Sequence, residues 1–157
     1  MKSKIVWMVI LAIILCFIWG NSLLSKETSA ALSDAVSELL SSFFGEEDTN
    51  EAESVGAGLL RKIAHFVEFC ALGAVSAILA RSFFSQKHIV ALVLALEGVS
   101  VALLDETIQI FSGRGPAVRD IWIDMGGFAF GCALVIIVTA IIAQIKANDV
   151  NKLKKQT

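Results

Sequence analysis

Four long apolar runs decide what this chain can fold into. A helix needs about 20 mainly apolar residues to cross a hydrocarbon layer roughly 30 Å thick. Segments at about 5–19, 63–84, 89–111 and 121–145 supply them, the first being the shortest. In such a layer the backbone must satisfy its own hydrogen bonds, which leaves helices or a closed barrel; runs this long and this continuous are helical. Hydrophobic residues make up 56% of the 157 and proline occurs once, so a disordered chain is excluded and a soluble domain is disfavoured. The expected fold is all-α, a single membrane domain (residues 1–157) built as an integral bundle of four transmembrane helices. A net charge of -2 gives no footprint for nucleic acid. Cys16, Cys70 and Cys132 all lie in apolar runs without CxxC spacing and read as packing residues. The start resembles a signal peptide, with Lys2 and Lys4 before an apolar stretch, but WGNSLLSK lacks an A-x-A-like cleavage site, so a retained anchor is expected.

Basic residues set the orientation. With four spans, Lys2, Lys4, Arg81, Lys87, Lys146, Lys152, Lys154 and Lys155 share one side, and Lys26, Arg61, Lys62, Arg114 and Arg119 share the other. The positive-inside rule then places both termini in the cytoplasm. The outer loop, 20–62, is too long for a turn. Within it Leu32, Val36, Leu39, Leu40, Phe43 and Phe44 recur at helical spacing, away from Ser33, Asp34 and Glu38, which predicts a short amphipathic extracytoplasmic helix at about 29–44. The acidic, glycine-punctuated stretch GEEDTNEAESVGAG after it reads as a connector.

The ionisable residues of the later spans gather at one end. Arg61, Lys62, His65 and Glu68 open the second span, Asp105, Glu106 and Gln109 close the third, and Arg114, Arg119, Asp120 and Asp124 lead into the fourth. Arg61, His65, Glu68 and Leu72 share one helical face, as do Asp105 with Gln109 and Asp120 with Asp124 and Gly127. Such groups cost several kcal/mol in lipid unless they face the bundle interior and find partners, so the stripes should converge on an outward-facing polar pocket. Gly127 and Gly131 form a small-xxx-small step that permits close helix packing. Glu97 lies deeper in the third span, either functional or a hydrogen-bonded structural glutamate.

His65, Glu68, Asp105, Glu106, Asp120 and Asp124 are the candidates for acid or base chemistry. Arg61, Lys62, Gln109, Arg114 and Arg119 are the candidates for holding an anionic group, arginine being suited to a bidentate phosphate contact. The same charges can also neutralise one another, as Arg61 with Asp120, Arg119 with Glu106 and His65 with Asp124. One histidine and several carboxylates are compatible with Mn²⁺, Mg²⁺ or Zn²⁺. However, His88 falls on the opposite side and arginines stand nearby, so no metal site and no cofactor are assigned. Ser112 lacks the frame of a serine nucleophile.

The stretches RKIAHFVEF, LG and DETIQIFSGRGPAVRDIWIDMGG together resemble the VanZ-like family of small bacterial membrane proteins. The matching positions are Arg61, Lys62, Ala64, His65, Glu68, Phe69, Leu72 and Gly73, then Asp105, Glu106, Gln109 and Phe111, then Gly113, Arg114, Arg119, Asp120, Asp124 and Gly127. RGPAVRD departs from the more usual form, which has small polar residues after the first arginine. The resemblance implies a multi-pass protein of the bacterial cell membrane, linked to reduced binding or access of teicoplanin-type glycopeptides. The partners to expect are membrane lipids, with a lipid-linked cell-wall precursor or a lipoglycopeptide antibiotic at the pocket. An enzyme modifying or hydrolysing a polyprenyl-phosphate precursor is the alternative.

Overall fold

A computed structural model describes residues 2–24, 27, 28, 31, 34–36, 38, 39, 50–113 and 118–154. The chain forms α1 (Lys2–Ser22), α2 (Asn50–Phe83), α3 (Lys87–Phe111) and α4 (Val118–Lys154). Each contains a stretch long and apolar enough to cross a membrane, namely Ser3–Ser22, Leu59–Phe83, Lys87–Phe111 and Val118–Asp149. Their outward faces carry the side chains expected against lipid tails, among them Ile13 and Phe17 on α1, Val67 on α2, Leu92 and Leu96 on α3, and Ile137 and Ile141 on α4. The predicted amphipathic helix at 29–44 lies mostly outside the described residues.

Two helices run beyond their predicted spans. The second half of the stretch read as a connector is helical, because α2 begins at Asn50 rather than near Ile63. Extending an existing helix adds one hydrogen bond per residue without a new nucleation cost. The two glycines of NEAESVGAG, at about 1 kcal/mol each relative to alanine, do not end the helix. At 1.5 Å per residue, the 34 residues of α2 and 37 of α4 span about 50 and 55 Å, well over a bilayer core.

Glycine sets how closely α2 and α4 approach. A Cβ on Gly73 would land on the Phe128 carbonyl, one on Gly127 on the Phe66 carbonyl, and one on Gly131 on the Cys70 carbonyl. Lipid tails are as apolar as leucine, so helix association here depends on such backbone contact rather than on burying apolar surface from water. Cys132 uses the same proximity to donate its thiol to the Gly73 carbonyl at 3.3 Å. Phe128, 5% exposed, presses its ring against Gly98 of α3, where an added Cβ would come within 2.8 Å of a ring carbon. Around it Ile18, Phe69, Leu72, Ala77, Leu94, Val101 and Ala102 make one core cluster.

The ends of the bundle are tied differently. Lys4 donates to the Ser82 carbonyl at 2.6 Å and covers the Phe83 ring at 4.5 Å, fixing the start of α1 beside the end of α2. A short link through Gln86, whose carbonyl accepts the Ile89 and Val90 amides, returns the chain into α3. At the other end α3 stops at Ser112 and Gly113, the latter at φ +80, in the left-handed region that glycine occupies without a Cβ penalty. The Ser112 hydroxyl reaches the Ser22 carbonyl at 2.8 Å, joining the ends of α1 and α3. That bond gives Ser112 a structural role.

Candidate functional site

The polar stripes of α2, α3 and α4 do converge, beside the end of α1. His65 Nδ1 stands 3.7 Å from Asp105 Oδ2 and 3.7 Å from Asp124 Oδ1, a histidine from α2 between a carboxylate of α3 and one of α4. All three are enclosed: His65 is 7% exposed, Asp105 0% and Asp124 1%. One donor atom from each lies within 4.8 Å of the other two. The i, i+4 spacing of Asp105 and Gln109 lets the Gln109 amide donate to Asp105 Oδ2 at 2.6 Å.

Asp105 is held from a second direction by α1. Ser22 is fully buried and its hydroxyl donates to Asp105 Oδ1. One residue earlier, Asn21 donates through Nδ2 to Glu68 Oε1 at 3.1 Å. Asn21 and Ser22 are the site residues that the sequence reading passes over. Their signal is faint but physical: two adjacent hydrogen-bonding side chains end an otherwise apolar span, at the end where the other helices carry their charges. The first helix therefore contributes side chains to this cluster.

The remaining candidates form a margin. Glu68 is half-buried and its Oε2 has no hydrogen-bond partner among the described residues, while Glu106 is buried next to Asp105. Asp120 is half-buried at the start of α4, one helical turn before Asp124. Arg61 is half-buried, Lys62 and Arg119 are exposed, and Arg114 lies outside the described residues. The expected pair His65 with Asp124 is present, shared with Asp105. The pairs Arg61 with Asp120 and Arg119 with Glu106 are not among the ion pairs of the described residues. His88 is exposed at the opposite end of α3. Glu97, also away from this centre, accepts a hydrogen bond from Ser76 at 2.7 Å, which links α2 to α3.

The chemistry available is therefore specific. An imidazole nitrogen lies equidistant from two buried carboxylates, one clamped by two donors and one without a hydrogen bond to Oδ1 among the described residues. Such an arrangement can orient and charge an imidazole, or supply one nitrogen and two oxygens to a cation. No curated protein and no solved structure matches the chain. The VanZ/LLP1 family profile does match, over residues 5–139, which reaches from α1 into α4 and takes in His65, Asp105 and Asp124. On that match, and on the convergence of the three motifs around His65, the chain belongs to the VanZ/LLP1 family.

Proposed function

We propose that this protein works at the bacterial cell envelope with its polar end outward and both termini in the cytoplasm. There it engages the anionic head of a lipid-linked cell-wall precursor or the matching face of a lipoglycopeptide, lowering the binding or access of teicoplanin-type antibiotics. The observation that carries this reading is the enclosed cluster of His65, Asp105 and Asp124 at one end of an apolar bundle. Charged groups within membrane spans are costly and are kept chiefly where they serve a pathway or a ligand. Arg61, Lys62 and Arg119 stand at the margin of the same end, where phosphate oxygens of a lipid head would meet them.

A second reading makes the same pocket an enzyme acting on a polyprenyl-phosphate precursor. It is favoured by the equal 3.7 Å separations, which suit an imidazole acting as base with carboxylates orienting it. One experiment addresses both: mass spectrometry of lipid-linked precursors and of added teicoplanin, incubated with intact protein and with His65→Ala or Asp105→Asn. Retained masses with binding that depends on those side chains support the binding role. A new mass dependent on them supports the enzyme. Neither binding nor conversion by the intact protein would overturn both.

A further inference from the structure

We propose that His65, Asp105 and Asp124 form a divalent-cation site, with a phosphate oxygen as the ligand class for its open positions. In a tetrahedral site with metal–ligand distances near 2.0 to 2.1 Å, neighbouring donor atoms lie about 3.3 Å apart. The two separations from His65 Nδ1 are both 3.7 Å and all three donor atoms lie within 4.8 Å of one another, so an inward movement of the carboxylates by up to about 1.5 Å closes the set on a metal. Three helices supply one donor each.

Asp124 gives the second, independent observation. It is 1% exposed and its Oδ1, facing His65, has no hydrogen-bond partner among the described residues. A buried carboxylate oxygen without a donor costs several kcal/mol, and a cation supplies what is missing. Asp105 shows the complementary feature. Ser22 and Gln109 donate to its two oxygens, the outer-shell hydrogen bonding that fixes a ligating carboxylate. The sequence-level objection, that arginines crowd the site, does not hold for the two that are described. Arg119 is exposed, Arg61 is half-buried, and neither forms an ion pair with Asp105 or Asp124.

One nitrogen and two oxygens select Mn²⁺ or Zn²⁺ over Ca²⁺, which takes six to eight oxygens. Three protein ligands leave at least one position open, as in catalytic rather than structural sites. The phosphate part of the inference rests on the reading of this pocket given above; the cation part does not.

The test is titration of the full-length, detergent-solubilised protein with Mn²⁺ alone, read by electron paramagnetic resonance, with Zn²⁺ as competitor. One Mn²⁺ per chain is expected, displaced by Zn²⁺. Asp124→Asn and His65→Ala should abolish it, and Ser22→Ala, acting through Asp105, should weaken it about 10- to 100-fold. Glu97→Gln should leave it unchanged, and melting curves will show that each variant is folded. Failure of the intact protein to bind Mn²⁺ or Zn²⁺, or binding that persists in both folded Asp124→Asn and folded His65→Ala, overturns the cation site. If metal is absent while precursor binding still depends on Asp105, the cation inference falls and the envelope reading stands. If metal binds but no precursor does, the reverse holds.

Discussion

Asp105 is the residue on which the site turns, because both of its oxygens are satisfied from different helices and its carboxylate is wholly enclosed. Removing one donor leaves a buried acceptor without its partner, at a cost of about 1 to 3 kcal/mol. Ser22→Ala should accordingly lower the melting temperature of the protein in detergent by several degrees, and Ser22→Thr, which keeps the hydroxyl, should recover part of the loss. Arg119→Ala makes the contrast. Its side chain is exposed, so the change should cost less than about 1 kcal/mol in the same melting assay. His65, Asp105 and Asp124 could all be read from the sequence as facing one another, since helical spacing and the cost of charge in lipid leave few other arrangements. Ser22 could not, because a small hydroxyl residue at the end of an apolar run carries no periodic signal and its value lies in a partner 83 residues away.

At the scale of elements, α2 and α4 behave as a single packed pair held together by absent side chains. Gly131 faces the Cys70 carbonyl so closely that any Cβ must separate the helices, and overpacking of that kind costs about 1 to 3 kcal/mol. Gly131→Ala should therefore melt several degrees below the parent protein. Gly20→Ala, where an added Cβ meets nothing within 4 Å, should melt at the same temperature or slightly higher. Equal gains in the two variants would mean that helix propensity, not the close approach, governs stability. The spans were legible because lipid demands length and apolarity, and Gly127 with Gly131 was legible as a packing step. Helix ends were not: the start of α2 at Asn50 reflects extension of an existing helix into polar sequence, which hydropathy does not register. Gly73 and Gly98 could be read from the sequence as further places of close approach, but not that Phe128 is what each of them meets between α2 and α3.

Across the whole molecule, the four helices separate two ends of different character. One carries the enclosed carboxylates and imidazole; the other carries Lys4, Arg81, Lys87 and His88, with Lys4 capping the carbonyl of Ser82. The basic end should face the cytoplasm. A chain freed of its native cysteines and given a single cysteine at Glu47 should react with an impermeant maleimide added to intact cells, while one at Lys87 should react only after lysis; the opposite pattern would invert the orientation. Asp124 distinguishes a polar end that binds a ligand from a set of charges that hold the bundle together. Its carboxylate is 1% exposed and lacks a donor at Oδ1 among the described residues, so in metal-free buffer it opposes folding more than it supports it. The deciding measurement is the melting temperature of Asp124→Asn in metal-free detergent solution. A binding site predicts a value equal to or above that of the parent protein, whereas a fall of several degrees would show that Asp124 is a structural partner of His65 and would contradict the account.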